Sequence, residues 1–314
     1  MTGATPVPPR EPPSHPPRVP PWRHPWVRHL RLGFNLVLSP IYLWGVWLAG
    51  GTLQDGRVLL GWLALHVFLY GGTTAFNSYY DRDEGPIGGM RHPPPVARGL
   101  LWWSLGVQAA GLPLAWLVGP PFVAAWLVLF VVAGAYSHPS TRWKARPASA
   151  LAAVALGQGG VGFLAGWWAV APGAAGLGAL ADVARPDVLV GALTTALLLS
   201  GLYVVSQAYQ TAEDRRRGDR TLPVLMGPGR ALRWAALVSG LGAILMVVVV
   251  SARIGPLWAV PIVVGSGAVG AVWWRWAERF DEDALDANYR TAMRIARVGG
   301  GALSAYLLVL LVAW

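Results

Sequence analysis

Nine long apolar runs dominate this chain, at roughly residues 32–51, 57–80, 99–118, 121–137, 149–171, 188–212, 230–251, 255–275 and 293–314. An α-helix needs about 20 mostly apolar residues to cross a bilayer. Within lipid every backbone polar group must find its partner inside the protein, which confines spanning segments to helices and closed barrels. The expected architecture is therefore an all-α, polytopic membrane bundle of about nine transmembrane helices. Charge content agrees: only 13% of residues are charged, against about 25% in a soluble domain, too few to cover a water-facing surface. The stretch 172–186, rich in Gly and Ala, is expected to be a loop too broken to span.

The net charge of +10 would suit nucleic acid, but its distribution argues for no nucleic-acid partner, because the arginines fall between the apolar runs. Arg10, Arg18, Arg23, Arg28 and Arg31 precede the first run. Arg82, Arg91 and Arg98 follow the second, and Arg142, Lys144 and Arg146 the fourth. Arg215, Arg216, Arg217, Arg220 and Arg230 follow the sixth, and Arg275, Arg279, Arg290, Arg294 and Arg297 the eighth. The intervening gaps hold only Arg57, Arg185 and Arg253. Basic residues stay on the cytoplasmic side, so the N-terminus is expected in the cytoplasm and the C-terminus outside, in what would be a bacterial inner membrane. Residues 1–30 contain ten prolines and few aliphatics. That composition cannot pack a core, and the segment is expected to be disordered or loosely laid on the surface, with residues 31–314 forming the membrane domain. It lacks the apolar region of a cleavable signal. The absence of cysteine excludes disulfides and thiolate metal sites.

Most carboxylates fall in three groups, all on the basic side. Glu278, Asp281, Glu282, Asp283 and Asp286 read as a solvated loop among arginines. The other two groups each begin inside the end of an apolar helix. Asn77-Ser-Tyr-Tyr-Asp81-Arg82 matches Gln210-Thr-Ala-Glu-Asp214-Arg215 position by position: amide, hydroxyl, two variable residues, aspartate, arginine. Amide and aspartate four apart share one helix face. Oxygen donors of this kind suit Mg²⁺, which takes one or two carboxylates and completes its shell with substrate phosphates and water. Arginines beside them would cancel the charge in a simple pair, but grip an arriving phosphate with a bidentate fork. Together they describe a site for Mg²⁺ and a diphosphate. Charges snorkelling from helix ends are the plain alternative. A third basic segment, Tyr136-Ser-His-Pro-Ser-Thr-Arg142-Trp-Lys144-Ala-Arg146-Pro147, lies on the same side and holds the one lysine of the chain.

From Arg31 to the C-terminus these features resemble the UbiA superfamily of intramembrane prenyltransferases. Asn77 and Asp81 match its first motif, followed by Arg82, with Gly85 where a further Asp would stand. Asp214 matches the second motif, with Gln210 in place of its first Asp, and Arg220-Thr-Leu-Pro-Val224 resembles that motif's ending. Tyr136, Ser137, Arg142 and Lys144 are similar to the loop after helix four, Arg91 to Gly99 to a variant of the loop after helix two, and Arg31 and Asn35 to the start of helix one. The resemblance implies Mg²⁺-dependent transfer of a prenyl group from an isoprenoid diphosphate to an aromatic or other lipophilic acceptor. It implies Asn77, Asp81, Gln210 and Asp214 facing the metal, Arg82 and Lys144 holding the diphosphate, and Arg31, Asn35, Tyr136, Arg142 and Arg220 lining the site. Asp83, Glu84 or Glu213 would compensate for the two missing carboxylates.

Gly157-Gln-Gly-Gly-Val-Gly162 is expected to allow a close helix crossing or to wall a cavity. Trp167 and Trp168 are expected to anchor at the membrane interface, and His66 to be satisfied by a neighbouring helix. A terpene cyclase would use the same site without an acceptor. A transporter or a non-catalytic scaffold would be the remaining class, but charges confined to one side count against a path through the membrane.

Overall fold

The computed structural model describes residues 20–171 and 177–314. Of the proline-rich segment, residues 1–19 lie outside the described residues. Residues 20–30 carry short helical turns. A 3₁₀ turn, Pro21–Arg23, leads into a short helix, Pro25–His29, and His29 and Leu30 are buried. Pro25 suits a first helical turn, where its missing N–H is not needed and its φ is already helical.

The bundle is built from α1 (Ser39–Leu48) and eight helices long and apolar enough to cross a membrane. These are α2 (Gly56–Asp81), α3 (Leu100–Val118), α4 (Pro120–Ser137), α5 (Pro147–Val170), α6 (Pro186–Ala208), α7 (Pro228–Ile254), α8 (Pro256–Glu278) and α9 (Leu285–Ala313). The first apolar run is helical from Leu32 but mixed, with a 3₁₀ turn at Leu36–Leu38. Pro40 accounts for the break, since its ring crowds the carbonyl four residues back and it donates no hydrogen bond. α9 starts earlier than its apolar run, with Asp286 in its first turn, where a carboxylate favours the helix dipole. The acidic stretch 278–286 is therefore split between the end of α8, a short connection and the start of α9. Within 172–186, residues 172–176 lie outside the described residues, and Leu177–Val183 is a short helix rather than loop.

Every residue of α1 is buried, because α1 lies against both α5 and α9. Its crossing with α5 is backbone on backbone. A Cβ at Gly166 would run into the Tyr42 carbonyl, and one at Gly45 into the Phe163 carbonyl. Gly166→Val is expected to cost at least about 1–3 kcal/mol by overpacking, read as a lowered Tm and an aggregate peak in size exclusion. Trp167 and Trp168 follow Gly166 into this interior, 4% and 7% exposed, so they are core residues and not lipid-facing anchors. His66 is only half satisfied, and by its own helix: Nδ1 lies 3.0 Å from the Trp62 carbonyl, which can only accept, so Nδ1 carries the proton, while Nε2 is buried with no hydrogen-bond partner among the described residues. The glycine run in α5 meets both expectations. Gly159 brings α5 against the backbone of α6 at Ala196, and Gln158 lines a cavity. Both α2 and α5 are wound as π-helix for part of their length, over Ala64–Leu69 and Ala153–Val161.

Candidate active site at the basic end of the bundle

α2, α4 and α6 end on the side where the arginines cluster, and their last turns surround a cavity of about 280 Å³. Its deep end is apolar, with Leu69 and Tyr70 of α2, Leu129, Val132 and Ala133 of α4, and Ala153 and Val154 of α5. Its mouth is polar and brings together seven of the residues singled out in the sequence: Arg31, Asn77, Asp81, Tyr136, Lys144, Gln210 and Asp214.

Asp81 ends α2 and forms an ion pair with Lys144 in which each side chain is 11% exposed. Burial pulls the Lys144 ammonium down to about 8, against the opposing pull of the Asp219 and Asp214 charges. The second motif does not sit in the end of α6 as its spacing suggested. α6 stops at Ala208, and Asp214 belongs to a separate short helix, Thr211–Arg217. The amide-to-aspartate spacing survives because the Asp214 N–H still donates to the Gln210 carbonyl at 2.9 Å. Gly218, at φ 78°, closes that helix, a left-handed conformation that glycine adopts without Cβ strain. The chain then doubles back, so that the Thr221 hydroxyl donates to the Asp214 carboxylate at 3.1 Å. Burial pushes the Asp214 carboxyl up to about 7. Thr221 opposes this, and the charges of Asp219 and Glu213 add to it.

Of the three carboxylates expected to compensate for Gly85, Asp83 lines the cavity, and Glu84 and Glu213 do not. A Cβ at Gly85 would sit 3.0 Å from the Glu213 carboxylate, so glycine there lets Glu213 close on the loop. Arg217 then bridges the two motif segments, donating to Asp83 at 2.6 Å and to Glu213 at 2.5 Å. Sequence reasoning counted Arg217 only as a basic residue. Its spacing of three from Asp214 and four from Glu213 on one helix was the available signal. Tyr203, also missed, lines the cavity and ties α4 to α6, accepting from Tyr136 at 3.1 Å and from Gln207 at 2.7 Å.

Four expected residues lie elsewhere. Asn35 is buried and donates to the Leu30 carbonyl at 3.0 Å, holding the entry to α1. Arg82 is exposed, its guanidinium 6.0 Å from the Tyr79 ring. Arg142 stands one layer back, paired with the cavity-lining Asp219 at 3.1 Å. Arg220 is exposed and contributes its backbone N–H to the Ala145 carbonyl at 3.0 Å. Three of the arginines around the site, Arg31, Arg82 and Arg142, adopt positive φ (47°, 49° and 38°), a conformation costing roughly 1–2 kcal/mol outside glycine. Arg82→Gly is therefore expected to raise stability by up to about 1 kcal/mol, read as a higher Tm.

Among the described residues no three His, Asp or Glu side chains gather closely enough to hold a metal by themselves. The donor set still fits Mg²⁺, whose shell is completed by phosphate and water. Asn77 commits its amide N–H to Ser137 at 3.0 Å and Gln210 its own to the Pro86 carbonyl at 3.3 Å. Among the described residues, the oxygen of each amide is left without a protein donor. Asp214 has a hydroxyl beside it and, among the described residues, no ion pair, and a buried carboxyl raised in this way is one that a cation would hold ionised.

A family model described as the UbiA prenyltransferase family matches residues 38–298. The chain is 28% identical over 205 residues to a digeranylgeranylglyceryl phosphate synthase of Thermococcus kodakarensis, covering 64% of this chain and 66%, just under two thirds, of that protein. It is 32% identical over 104 residues to a protoheme IX farnesyltransferase of Aeropyrum pernix, covering 32% of this chain and 34% of that one. Among solved structures, a UbiA homolog from Archaeoglobus fulgidus bound to GPP and Mg²⁺ superposes with a TM-score of 0.64 at 21% identity, over 92% of this chain and 99% of that one. An apo UbiA homolog from Aeropyrum pernix gives 0.62 at 18% identity, over 86% and 97%. At these identities the structural likeness shows the fold.

Proposed function

Since the chain belongs to the UbiA prenyltransferase family, we propose that it transfers the prenyl group of an isoprenoid diphosphate to a lipophilic acceptor within the membrane, using Mg²⁺. The basic end of the bundle would face the cytoplasm of a bacterial cell, where a water-soluble diphosphate head is at hand. The observation that carries this reading is the build of the cavity: cations and carboxylates at its mouth, hydrocarbon at its depth.

Asn77, Asp81, Gln210 and Asp214 would hold the metal, with Asp83 as a further carboxylate. When bound, Mg²⁺ supplies Lewis-acid stabilisation of the leaving diphosphate. Lys144, Arg31 and Arg217 meet the rest of that charge. The allylic C–O bond breaks with its electron pair leaving on the diphosphate, the acceptor supplies the pair for the new bond to the allylic carbon, and the proton it then loses passes to the released diphosphate. Fixed cations in a dry mouth are worth more than the same charges in water, because no solvent must reorganise as charge develops. The apolar depth houses the chain and keeps water from the carbocation. Tyr70, Tyr136 and Tyr203 add ring faces able to stabilise a cation.

The test is diphosphate release by the purified protein from geranylgeranyl or farnesyl diphosphate, with and without Mg²⁺, followed by an acceptor screen. Release that Mg²⁺ does not stimulate, together with no binding of the diphosphate, would sink the reading. An acceptor-free hydrocarbon product would change it to a terpene cyclase.

A further inference from the structure

The catalytic cavity has a floor, and beyond the floor lies a second cavity of about 420 Å³. Apolar and small residues make up nearly all of its wall. Among the described residues none lines both cavities, yet they follow one another along α6. Leu199 and Leu202 line the deeper one, and Tyr203 and Ser206 line the catalytic one. Residues four apart share a helix face, so one face of α6 runs past the floor. Ile41 of α1 lines the deeper cavity and Tyr70 of α2 the catalytic one. Both crowd one point on α5: a Cβ at Gly162 would sit 3.1 Å from the Tyr70 hydroxyl and 3.3 Å from Ile41 Cγ2.

Tyr70 therefore stands at the partition. Tyr203, across the floor, is fixed by hydrogen bonds with Tyr136 and Gln207. Tyr70 is held by packing, its ring meeting His66 edge-on with centroids 5.4 Å apart, so it is the side of the floor free to turn. Both π-wound stretches end here: Ala64–Leu69 immediately before Tyr70, and Ala153–Val161 immediately before Gly162. Winding of this kind is rare and is frequently placed at functional sites. The depth above the partition is set by α2. Tyr70–Asp81 is regular α-helix of 12 residues, which rises about 16 Å between its ends. An extended chain advances about 1.2 Å per main-chain bond, so an isoprene unit of four bonds adds about 5 Å. Roughly three units fill that depth, and the next meets Tyr70.

We propose that Tyr70 sets the length of the prenyl chain that this protein accepts. With the ring in place, a donor of up to about three isoprene units lies wholly in the catalytic cavity. A longer chain enters the deeper cavity only where Tyr70 gives way. The inference rests on the transferase reading above. Glycine at 162 leaves the room that the Tyr70 hydroxyl occupies, so the partition is made by two residues on different helices. Removing the ring joins the cavities and more than doubles the space open to the chain. The preference then inverts, because each added apolar unit gains burial instead of meeting a wall.

The experiment measures Mg²⁺-dependent binding of farnesyl and geranylgeranyl thiolodiphosphates to the full-length protein in phosphatidylcholine nanodiscs. Their C–S bond does not ionise readily, so any part the Tyr70 ring plays in steadying a cation stays out of the readout. Wild type is expected to bind the farnesyl probe about tenfold tighter than the geranylgeranyl probe. Tyr70→Ala is expected to bind the longer probe at least as tightly as the shorter, a shift of about tenfold or more in their ratio. Gly240→Phe plugs the deeper cavity: Gly240 lines it, and a Cβ there meets nothing within 4 Å. Alone, this change is expected to leave farnesyl binding as it was. Added to Tyr70→Ala, it is expected to restore the preference for the shorter chain. Should Tyr70→Ala not fold, Tyr70→Leu, which keeps an apolar side chain and removes the hydroxyl end of the ring, decides by the same criterion. Equal binding of the two probes by wild type, an unchanged ratio in the Tyr70 variant, or a gain that survives Gly240→Phe would each overturn the proposal. A wild-type protein that binds neither probe with Mg²⁺ would defeat the transferase reading itself, whereas binding of both without a length preference would defeat only this one.

Discussion

Asp214→Asn is expected to cut Mg²⁺-dependent diphosphate release on the order of 10²–10³-fold without harming the fold. The asparagine keeps the size of the side chain and an oxygen for the Thr221 hydroxyl, which now donates to the carboxylate at 3.1 Å. What it removes is a charge that, among the described residues, has no ion-pair partner. The sign of the linkage makes the prediction double-edged. The Asp214 carboxyl is raised by burial to about 7, above its unfolded value, so the folded metal-free protein binds the proton more tightly than the unfolded chain. That preference favours folding at low pH and is lost as pH rises through about 7. At pH 8 without Mg²⁺ the variant is therefore expected to melt no lower than wild type, and with Mg²⁺ to show less metal-induced stabilisation. Thermal scans at pH 5.5 and 8, with and without the metal, separate a catalytic loss from a folding defect. A variant that releases diphosphate at the wild-type rate would remove Asp214 from the site.

Arg217→Ala is expected to destabilise the protein by about 3 kcal/mol, near the lower end of the range for breaking a buried ion pair. Asp83 and Glu213 are 7% and 16% exposed as side chains and share this one guanidinium, so truncation leaves two desolvated carboxylates facing each other. Lysine is expected to restore little, since one ammonium cannot fork to both. Removing a carboxylate at the same time, in D83N/R217Q, is expected to recover part of the loss, because groups in one network do not add independently. Equal Tm values for wild type and R217A would show that the bridge contributes nothing.

Lipid as a solvent explains why the spans were readable and the site only partly so. A bilayer imposes a local rule on hydrophobicity, so α2 through α9 stand close to the apolar runs. The rule is silent about which face of a span looks inward, and here the π-wound stretches of α2 and α5 each shift the register of the turns beyond them. Asn77 and Asp81 could be paired by spacing but not aimed. Asp214 was found by the likeness of its hexapeptide to that of Asp81, although it lies beyond the end of α6. Arg82 was drawn in by adjacency to Asp81, yet a left-handed φ of 49° at the helix end separates the two. Arg217 and Tyr203 escaped because their roles exist only once distant segments meet. Trp167 and Trp168 were misplaced because composition assigns tryptophan to the interface by habit, while two glycine contacts draw this part of α5 into the interior.

The burial of α1 also sets an order of events during synthesis. It packs against α5, α6 and α9, and α9 is the last of helices α1–α9 to leave the ribosome. At roughly 5–20 residues per second, the interval between completing α1 and completing α9 is on the order of 10–50 seconds. Gly45 can meet α5 well before then, but the side of α1 that packs on α9 has no partner until the end of that interval. The central helix is thus sealed only when α9 docks on α1, and a nascent chain arrested before α9 would already hold both carboxylate motifs and the helices that line the cavity around them, but would leave one side of α1 bare.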